Sequence, residues 1–175
     1  LSDDDIWNIY KQIITIIQLL HKKGVTHRDI KAENFLIKYD ENGNPIIKIT
    51  DFDFASIYNK DLNFRGGSRN YASPQLLADV VITDWRYNDV WSCGILLYIL
   101  IFNEVPWQVA HTTNEEYCKY FDNYGKFWKY RLFSRFSQNG NYYKIYLNIL
   151  KNSLALYEND RCDINYIQDQ LNIRL

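Results

Sequence analysis

The sequence contains no methionine, only three prolines, and only seven glycines among its 175 residues. Because it begins at Leu1 without Met, we interpret it as a piece of a longer protein, with N-terminal processing as the alternative explanation. Its three cysteines (Cys93, Cys118 and Cys162) form no Cys-x-x-Cys pair, which argues against a zinc site or a disulfide framework and favours a reducing compartment. We expect no signal peptide, and the most apolar run, 90–102, is shorter than the roughly 20 residues of a transmembrane helix. We therefore expect an intracellular, cytoplasmic protein without a membrane partner.

Charge of one sign is not in excess either. Twenty Lys and Arg residues balance 21 Asp and Glu residues, which gives a formal net charge of −1. This balance argues against a general nucleic-acid binder or a polybasic membrane module. Apolar residues make up 47% and aromatic residues 17% of the chain, which is typical of a globular protein with a core rich in rings.

The residue pattern predicts a mainly α fold with one small β-hairpin as its only sheet. Apolar residues recur at helical spacing over 4–23, after a capping SDDD and before Gly24. Two strand-like runs, 35–39 and 46–50, are joined by DENGNP, whose Asn-Gly pair indicates a tight turn. A polar, glycine-punctuated surface loop is predicted over 56–70. Further helices are predicted at about 75–82, 89–102, 114–121, 142–157 and 163–171.

Two polar segments flank this hairpin. Residues 27–34, HRDIKAEN, come directly before the first strand, and residues 51–53, DFD, directly follow the second. Because a hairpin returns the chain to its starting point, we expect Asp29, Asn34 and Asp51 to lie close together, with Lys31 between them.

These residue types suit phosphoryl transfer, whose catalysis depends mainly on positioning and electrostatics. Asn34 and Asp51 offer oxygen ligands of the kind that Mg²⁺ accepts together with substrate phosphates. Asp29 can accept the proton of an attacking hydroxyl, and the ammonium of Lys31 can neutralise charge on a moving phosphoryl group.

Five landmarks in order resemble the C-terminal lobe of a eukaryotic-type protein kinase. They are His27-Arg28-Asp29 with Asn34, the DFD triplet, GSRNYASPQ at 67–75, DVWSCG at 89–94, and Arg161. The resemblance implies a single domain over 1–175. Within it, a catalytic loop occupies 27–34, a metal-binding motif and activation segment 51–75, and a helical subdomain 76–175.

The resemblance also implies a role for each matched residue. Asp29 would be the catalytic base, Lys31 would face the phosphates of ATP, and Asn34 and Asp51 would bind ATP through Mg²⁺. The lysine two residues after the base is similar to that of serine/threonine-directed kinases.

The remaining matched residues would shape and support the site. Ser68 would bond Asp29 and Lys31, while Tyr71 and Pro74 would shape the groove for a protein substrate. Four residues would be structural. Asp89 would hold the catalytic-loop backbone and could also cap the following helix. The other three are His27, Arg28 and Arg161.

Three departures from the family pattern stand out. Asp53 replaces a glycine and adds a carboxylate near the phosphates, and glycine allows backbone conformations that other residues resist. Gln75 replaces a glutamate whose partner would be Arg161, so we expect a looser substrate segment. No glycine-rich loop, strand lysine or helical glutamate for ATP occurs in these residues. We therefore expect the missing N-terminal lobe, in the full-length chain, to be the partner of this lobe. We also expect the isolated chain to be nearly inactive.

Three functions remain open at this point. The first is a serine/threonine protein kinase that uses ATP and Mg²⁺. The second is a pseudokinase scaffold, favoured by Asp53 and Gln75, and the third is a small-molecule phosphotransferase of the aminoglycoside or choline kinase type.

Arg28 beside Asp29 is similar to kinases whose loop is ordered by phosphorylation. Since Phe64 lies near the usual phosphosite, we expect that phosphorylation is not the main switch.

Overall fold

The computed structural model describes residues 1–58, 60, 64, 66–78, 80–137 and 140–173. Positions 59, 61–63 and 65 of the predicted surface loop lie outside the described residues. Seven α-helices occur in the described part: α1 Asp3–Lys22, α2 Pro74–Leu77, α3 Trp85–Phe102, α4 Glu115–Asp122, α5 Tyr124–Phe133, α6 Asn141–Ser153 and α7 Ile164–Asn172. The strands there are β1 Val25–Thr26, β2 Phe35–Tyr39, β3 Pro45–Ile49 and β4 Ser56–Ile57. The mainly α prediction is confirmed.

Helix α1 begins and ends one residue earlier than the predicted 4–23. The Ser2 hydroxyl accepts a hydrogen bond from the Asp5 amide at 3.1 Å, and the Asp5 carboxylate accepts one from the Ser2 amide at 3.1 Å. This capping box satisfies two backbone donors at the helix start. The helix ends at Lys22, and Gly24 follows with φ +73°, a conformation that costs glycine little. Its isoleucine-rich face is buried, and the helix leads through β1 to the predicted catalytic loop.

Strands β2 and β3 form the predicted antiparallel hairpin, with Phe35 opposite Ile49 and Tyr39 opposite Pro45. The prediction that this is the only sheet is wrong. Strand β1 pairs with β4, placing Thr26 opposite Ser56. Strands of two residues are too short to show an alternating pattern, so the sequence alone could not reveal them. This second sheet connects the chain just before residues 27–34 to the chain that follows DFD.

Helix α3 is the centre of the fold. It begins at Trp85, four residues earlier than predicted, because the Asp84 carboxylate caps it by accepting a hydrogen bond from the Arg86 amide at 2.9 Å. Its residues from Asn88 to Tyr98 are all buried, and helices α1 and α6 pack against it. The predicted ring-rich core is confirmed: Trp107 contacts the rings of Trp91, Tyr117, Tyr120, Phe127 and Trp128.

The helical boundaries after residue 74 were predicted less well. Helix α2 ends at Leu77 and not at 82, and α6 ends at Ser153 and not at 157. Helix α5 was missed because its aromatic and basic residues show no clear apolar period. Among the described residues, no helix is both long and apolar enough to cross a membrane.

Candidate active site

The hairpin brings the two polar segments together through backbone contacts. The Thr50 amide donates to the Asn34 carbonyl at 3.0 Å, so that Asp51 is one residue beyond a direct contact with the catalytic loop. His27 Nε2 lies 3.2 Å from the Thr50 carbonyl oxygen, and its ring packs against Phe52 at 5.1 Å. The side chain of His27 is fully buried, so it joins the two loops from within the protein.

Asp29 lies at the centre of a dense hydrogen-bond network. Its Oδ2 is 2.6 Å from Lys31 Nζ and 3.4 Å from Asn34 Nδ2, while its Oδ1 accepts a hydrogen bond from the Ser68 amide at 2.8 Å. The side chain of Asn34 also donates to the Asp29 carbonyl at 2.8 Å, which fixes the loop between the two residues. The structure thus brings four of the predicted site residues together.

These contacts set the charge state of Asp29. Burial alone would raise the pKa of this carboxyl, but hydrogen bonds from Lys31 and Ser68 outweigh it and hold the pKa below its ordinary value. The same hydrogen bond raises the pKa of Lys31, with a further contribution from the charge of Asp51. Asp29 and Lys31 are therefore an ion pair at neutral pH.

Asn34 and Asp51 present the oxygen atoms that could hold a metal ion. Asn34 uses its amide nitrogen on Asp29, and its Oδ1 accepts no hydrogen bond from the described residues. Asp51 is exposed, and its carboxylate makes no hydrogen bond or ion pair within the described part of the chain. An amide oxygen and one carboxylate fit Mg²⁺, which keeps several waters and takes phosphate oxygens as further ligands. The described residues contain no group of three or more His, Cys, Asp or Glu side chains suited to a metal.

Asp53 does not have the strained backbone expected from the loss of glycine. Among the described non-glycine residues, positive φ occurs only at Arg28 (+68°), Asp51 (+62°) and Asn103 (+56°). The strained conformation in this motif therefore falls on Asp51. Asp53 is exposed and differs from glycine mainly in its charge.

The Asp89 carboxylate binds backbone amides of the predicted catalytic loop. Its Oδ1 accepts a hydrogen bond from the Arg28 amide at 2.9 Å, and its Oδ2 accepts one from the His27 amide at 2.9 Å. The expectation that Asp89 could cap a helix was wrong, since α3 already begins at Trp85. His21, which the sequence reasoning missed, contacts the same Oδ2 through Nε2 at 2.9 Å. No motif marks this histidine in the sequence.

The three residues predicted for the substrate segment lie along the chain between the catalytic loop and α3. Besides the Ser68 contact with Asp29, the Tyr71 hydroxyl accepts a hydrogen bond from the Ala32 amide at 3.2 Å. Burial raises the pKa of Tyr71, so its hydroxyl stays protonated. Pro74 is the first residue of α2, where its missing amide hydrogen costs nothing.

Arg161 lies on the far side of this segment and is 5% exposed. It donates to the Gln75 side-chain oxygen at 2.9 Å and to the Tyr87 carbonyl at 3.0 Å, and its guanidinium lies 4.9 Å from the Trp91 ring. Burial lowers the pKa of Arg161 to about 10. Gln75 also donates to the Leu156 carbonyl at 2.5 Å. The link between positions 75 and 161 is therefore present with a neutral partner.

The structure combines a helical body with a hairpin, which has the Asp29–Lys31–Asn34 loop on one side and the turn with Asp51 on the other. This is the arrangement expected of the C-terminal lobe of a protein kinase. The family described as "Protein kinase domain" matches residues 1–171. The chain belongs to this family.

Curated relatives agree with the family match. The chain is 40% identical over 124 residues to the serine/threonine-protein kinase chk1 of Schizosaccharomyces pombe, which covers 67% of this chain and 24% of that protein. It is 37% identical over 131 residues to the serine/threonine-protein kinase CHK1 of Saccharomyces cerevisiae, covering 70% of this chain and 24% of that protein. A match of 34% over 114 residues to the kinase KIN4 of the same yeast covers 63% and 14%. The chain spans about a quarter or less of the length of these relatives.

Proposed function

We propose that this chain carries the catalytic loop and metal-binding motif of a serine/threonine protein kinase, which transfers the γ-phosphoryl group of ATP to a protein hydroxyl. The observation that carries the proposal is the network on Asp29, in which Lys31, Asn34 and the Ser68 amide converge on one carboxylate. Relatives that are named serine/threonine-protein kinases support the choice of substrate class.

In this proposal, Asp29 orients the substrate hydroxyl and accepts its proton. Because its pKa is held low, Asp29 is ionised at neutral pH, and its main contribution is to align the attacking oxygen. The ammonium of Lys31, 2.6 Å from Asp29, stabilises negative charge that develops on the phosphoryl group.

Asn34 and Asp51 are the proposed ligands of Mg²⁺, which when bound neutralises part of the phosphate charge. Their side-chain oxygen atoms make no hydrogen bonds within the described part of the chain, so no existing hydrogen bond has to be broken for them to bind the metal. The backbone hydrogen bond between Thr50 and Asn34 fixes Asn34 relative to Asp51, the residue after Thr50.

Ser68, Tyr71 and Pro74 are proposed to position the substrate peptide beside Asp29. The Ser68 amide contacts the catalytic carboxylate directly, and the Tyr71 hydroxyl contacts the loop at Ala32. A peptide bound along this segment would therefore present its hydroxyl to Asp29. Since ATP is an intracellular substrate and the three cysteines are unpaired, we place this activity inside the cell.

A second candidate is a scaffold that keeps the fold without transferring phosphate. The exposed carboxylate of Asp53, next to the proposed metal ligand Asp51, favours it because a third negative charge would repel the phosphates of ATP.

The test is transfer of labelled γ-phosphate from ATP by the full-length protein. Changing Asp29 to Ala should lower the rate by about 10²- to 10⁴-fold. The control Glu41→Ala removes an exposed carboxylate at the hairpin turn and should keep the rate within about twofold. Equal signals from the wild type and Asp29→Ala would refute the kinase. A silent wild type together with an active Asp53→Gly variant would establish the scaffold.

A further inference from the structure

The Arg28 side chain has no part in the chemistry proposed above, yet it is only 3% exposed. Its backbone is in the left-handed region at φ +68°, a conformation that is unfavourable for a residue with a Cβ. Asp89 holds its amide from one side, as described above. The guanidinium points the other way, and a buried cation needs compensating partners there.

Two aromatic rings supply part of that compensation. The guanidinium carbon of Arg28 lies 4.8 Å from the ring of Trp85 and 5.1 Å from the ring of Phe64. Trp85 is the first residue of α3 and is 1% exposed, and its ring packs edge-on against Phe64 at 5.7 Å. Arg28 Nη2 also donates to the Lys60 carbonyl at 2.6 Å. The cation thus joins the first residue of α3 to Lys60 and Phe64, which precede Ser68 in the chain.

The segment that follows Phe64 leads directly to the catalytic carboxylate. The Phe64 ring lies over Gly66 so closely that a Cβ on Gly66 would collide with it. Gly67, at φ +95°, passes so near the loop that a Cβ there would lie 2.8 Å from the Arg28 carbonyl oxygen. The next amide, that of Ser68, donates to Asp29. Among the described residues, contacts therefore link Trp85 and Phe64 to Arg28, Phe64 to Gly66, and Ser68 to Asp29.

We infer that Phe64 and Trp85 are positioning residues. Their rings fix the Arg28 guanidinium by cation–π contact and thereby keep the Ser68 amide in its hydrogen bond with Asp29. In so far as it concerns catalysis, this inference rests on the proposed function. Cation–π contact and ring packing order residues 66–68 without requiring a phosphoryl group on this part of the chain. Cation–π contacts change an equilibrium between about twofold at exposed sites and thirtyfold when desolvated.

The experiment compares Phe64→Leu with Phe64→Tyr in the full-length protein. Leucine keeps an apolar side chain but removes the ring, whereas tyrosine keeps the ring. Hydrogen exchange of the 66–68 amides is measured together with kcat and the KM for ATP. Gly66→Ala is a second variant that leaves Phe64 in place but puts a methyl group where its ring lies.

We expect Phe64→Leu and Gly66→Ala to accelerate exchange at 66–68 by about twofold to thirtyfold and to lower kcat in proportion. The KM for ATP should change less than kcat, because Phe64 packs against Phe54 at 5.4 Å and, among the described contacts, reaches the proposed metal ligand Asp51 only through that residue. Phe64→Tyr should keep both the exchange rates and kcat near their wild-type values, because the ring is retained.

Unchanged exchange in Phe64→Leu, or equal effects of Leu and Tyr, would overturn the inference. Faster exchange in Phe64→Leu with an unaltered kcat would show that the rings order the segment without positioning Asp29, and would also overturn it. If the wild type and all variants fail to transfer phosphate, the proposed function fails. The exchange data would then still show whether the rings hold the segment.

Discussion

Replacing Asp89 by Asn tests how the fold supports the catalytic loop. The Asp89 carboxylate is 1% exposed and accepts three hydrogen bonds, from the His27 amide, the Arg28 amide and His21 Nε2, each at 2.9 Å. Asparagine has almost the same shape but only one acceptor oxygen. In either orientation, its NH₂ group must face at least one of the two backbone amides, donor against donor.

The magnitude follows from these contacts. One buried backbone donor loses its acceptor, which costs about 1–3 kcal/mol, and the bonds that remain change from charge-assisted to neutral, which costs about 1 kcal/mol more. We therefore expect Asp89→Asn to lower the free energy of unfolding by about 3 kcal/mol. Because native domains are stable by only about 5–15 kcal/mol, such a loss is easily measured by urea unfolding.

Asp163→Asn is the matched control. Asp163 caps α7 by accepting a hydrogen bond from the Tyr166 amide at 2.9 Å, and it is exposed. Asparagine caps helices about as well as aspartate, so this variant should lose only a few tenths of a kcal/mol. A loss below about 1 kcal/mol for Asp89→Asn, or equal losses for the two variants, would refute the proposed support of the loop.

Three further predictions concern the site. Because the pKa of Asp29 is lowered in the folded protein, its ionised form stabilises the fold above the ordinary pKa of about 3.9. The stability advantage of the wild type over Asp29→Asn should therefore shrink as the pH falls below 4 in urea titrations. Gly67→Ala should cost about 1–3 kcal/mol in urea unfolding, since its Cβ would meet a backbone oxygen at positive φ, whereas Gly125→Ala, in open space within α5, should not destabilise. Mass spectrometry of the active full-length protein should find no stoichiometric phosphate on Ser56 or Tyr58, and finding one would contradict the ring-based ordering.

The elements that the sequence predicts best are those with strong local signals. Helix α1 has a capping box, a regular apolar face and a glycine after its end, and the β2–β3 hairpin has an Asn-Gly turn. The convergence of Asp29, Lys31 and Asn34 follows from their closeness in the chain. The link to Thr50, just before Asp51, follows from the hairpin that returns the chain to this point.

What the sequence does not reveal depends on contacts between distant residues. His21 reaches Asp89 across 68 positions, and Trp85 reaches Arg28 across 57 positions, without any local pattern to mark either pair. The β1–β4 pairing is too short to show a period, and Asp84 gives the start of α3 only once its side chain is seen to cap the helix. Gln75 shows that a departure from a family motif need not remove a contact, because its amide oxygen still accepts a hydrogen bond from Arg161.

The central claim is that Asp29, Asn34 and Asp51 border one metal–nucleotide position. It can be tested by NMR on the ¹⁵N-labelled protein with ATP and paramagnetic Mn²⁺ in place of Mg²⁺. We expect the amide signals of residues 29–34 and 51–53 to broaden together, while those of α7 stay sharp and Asp51→Asn reduces the effect. Broadening that spares Asn34 or Asp51, or that is centred elsewhere in the protein, would contradict the shared site.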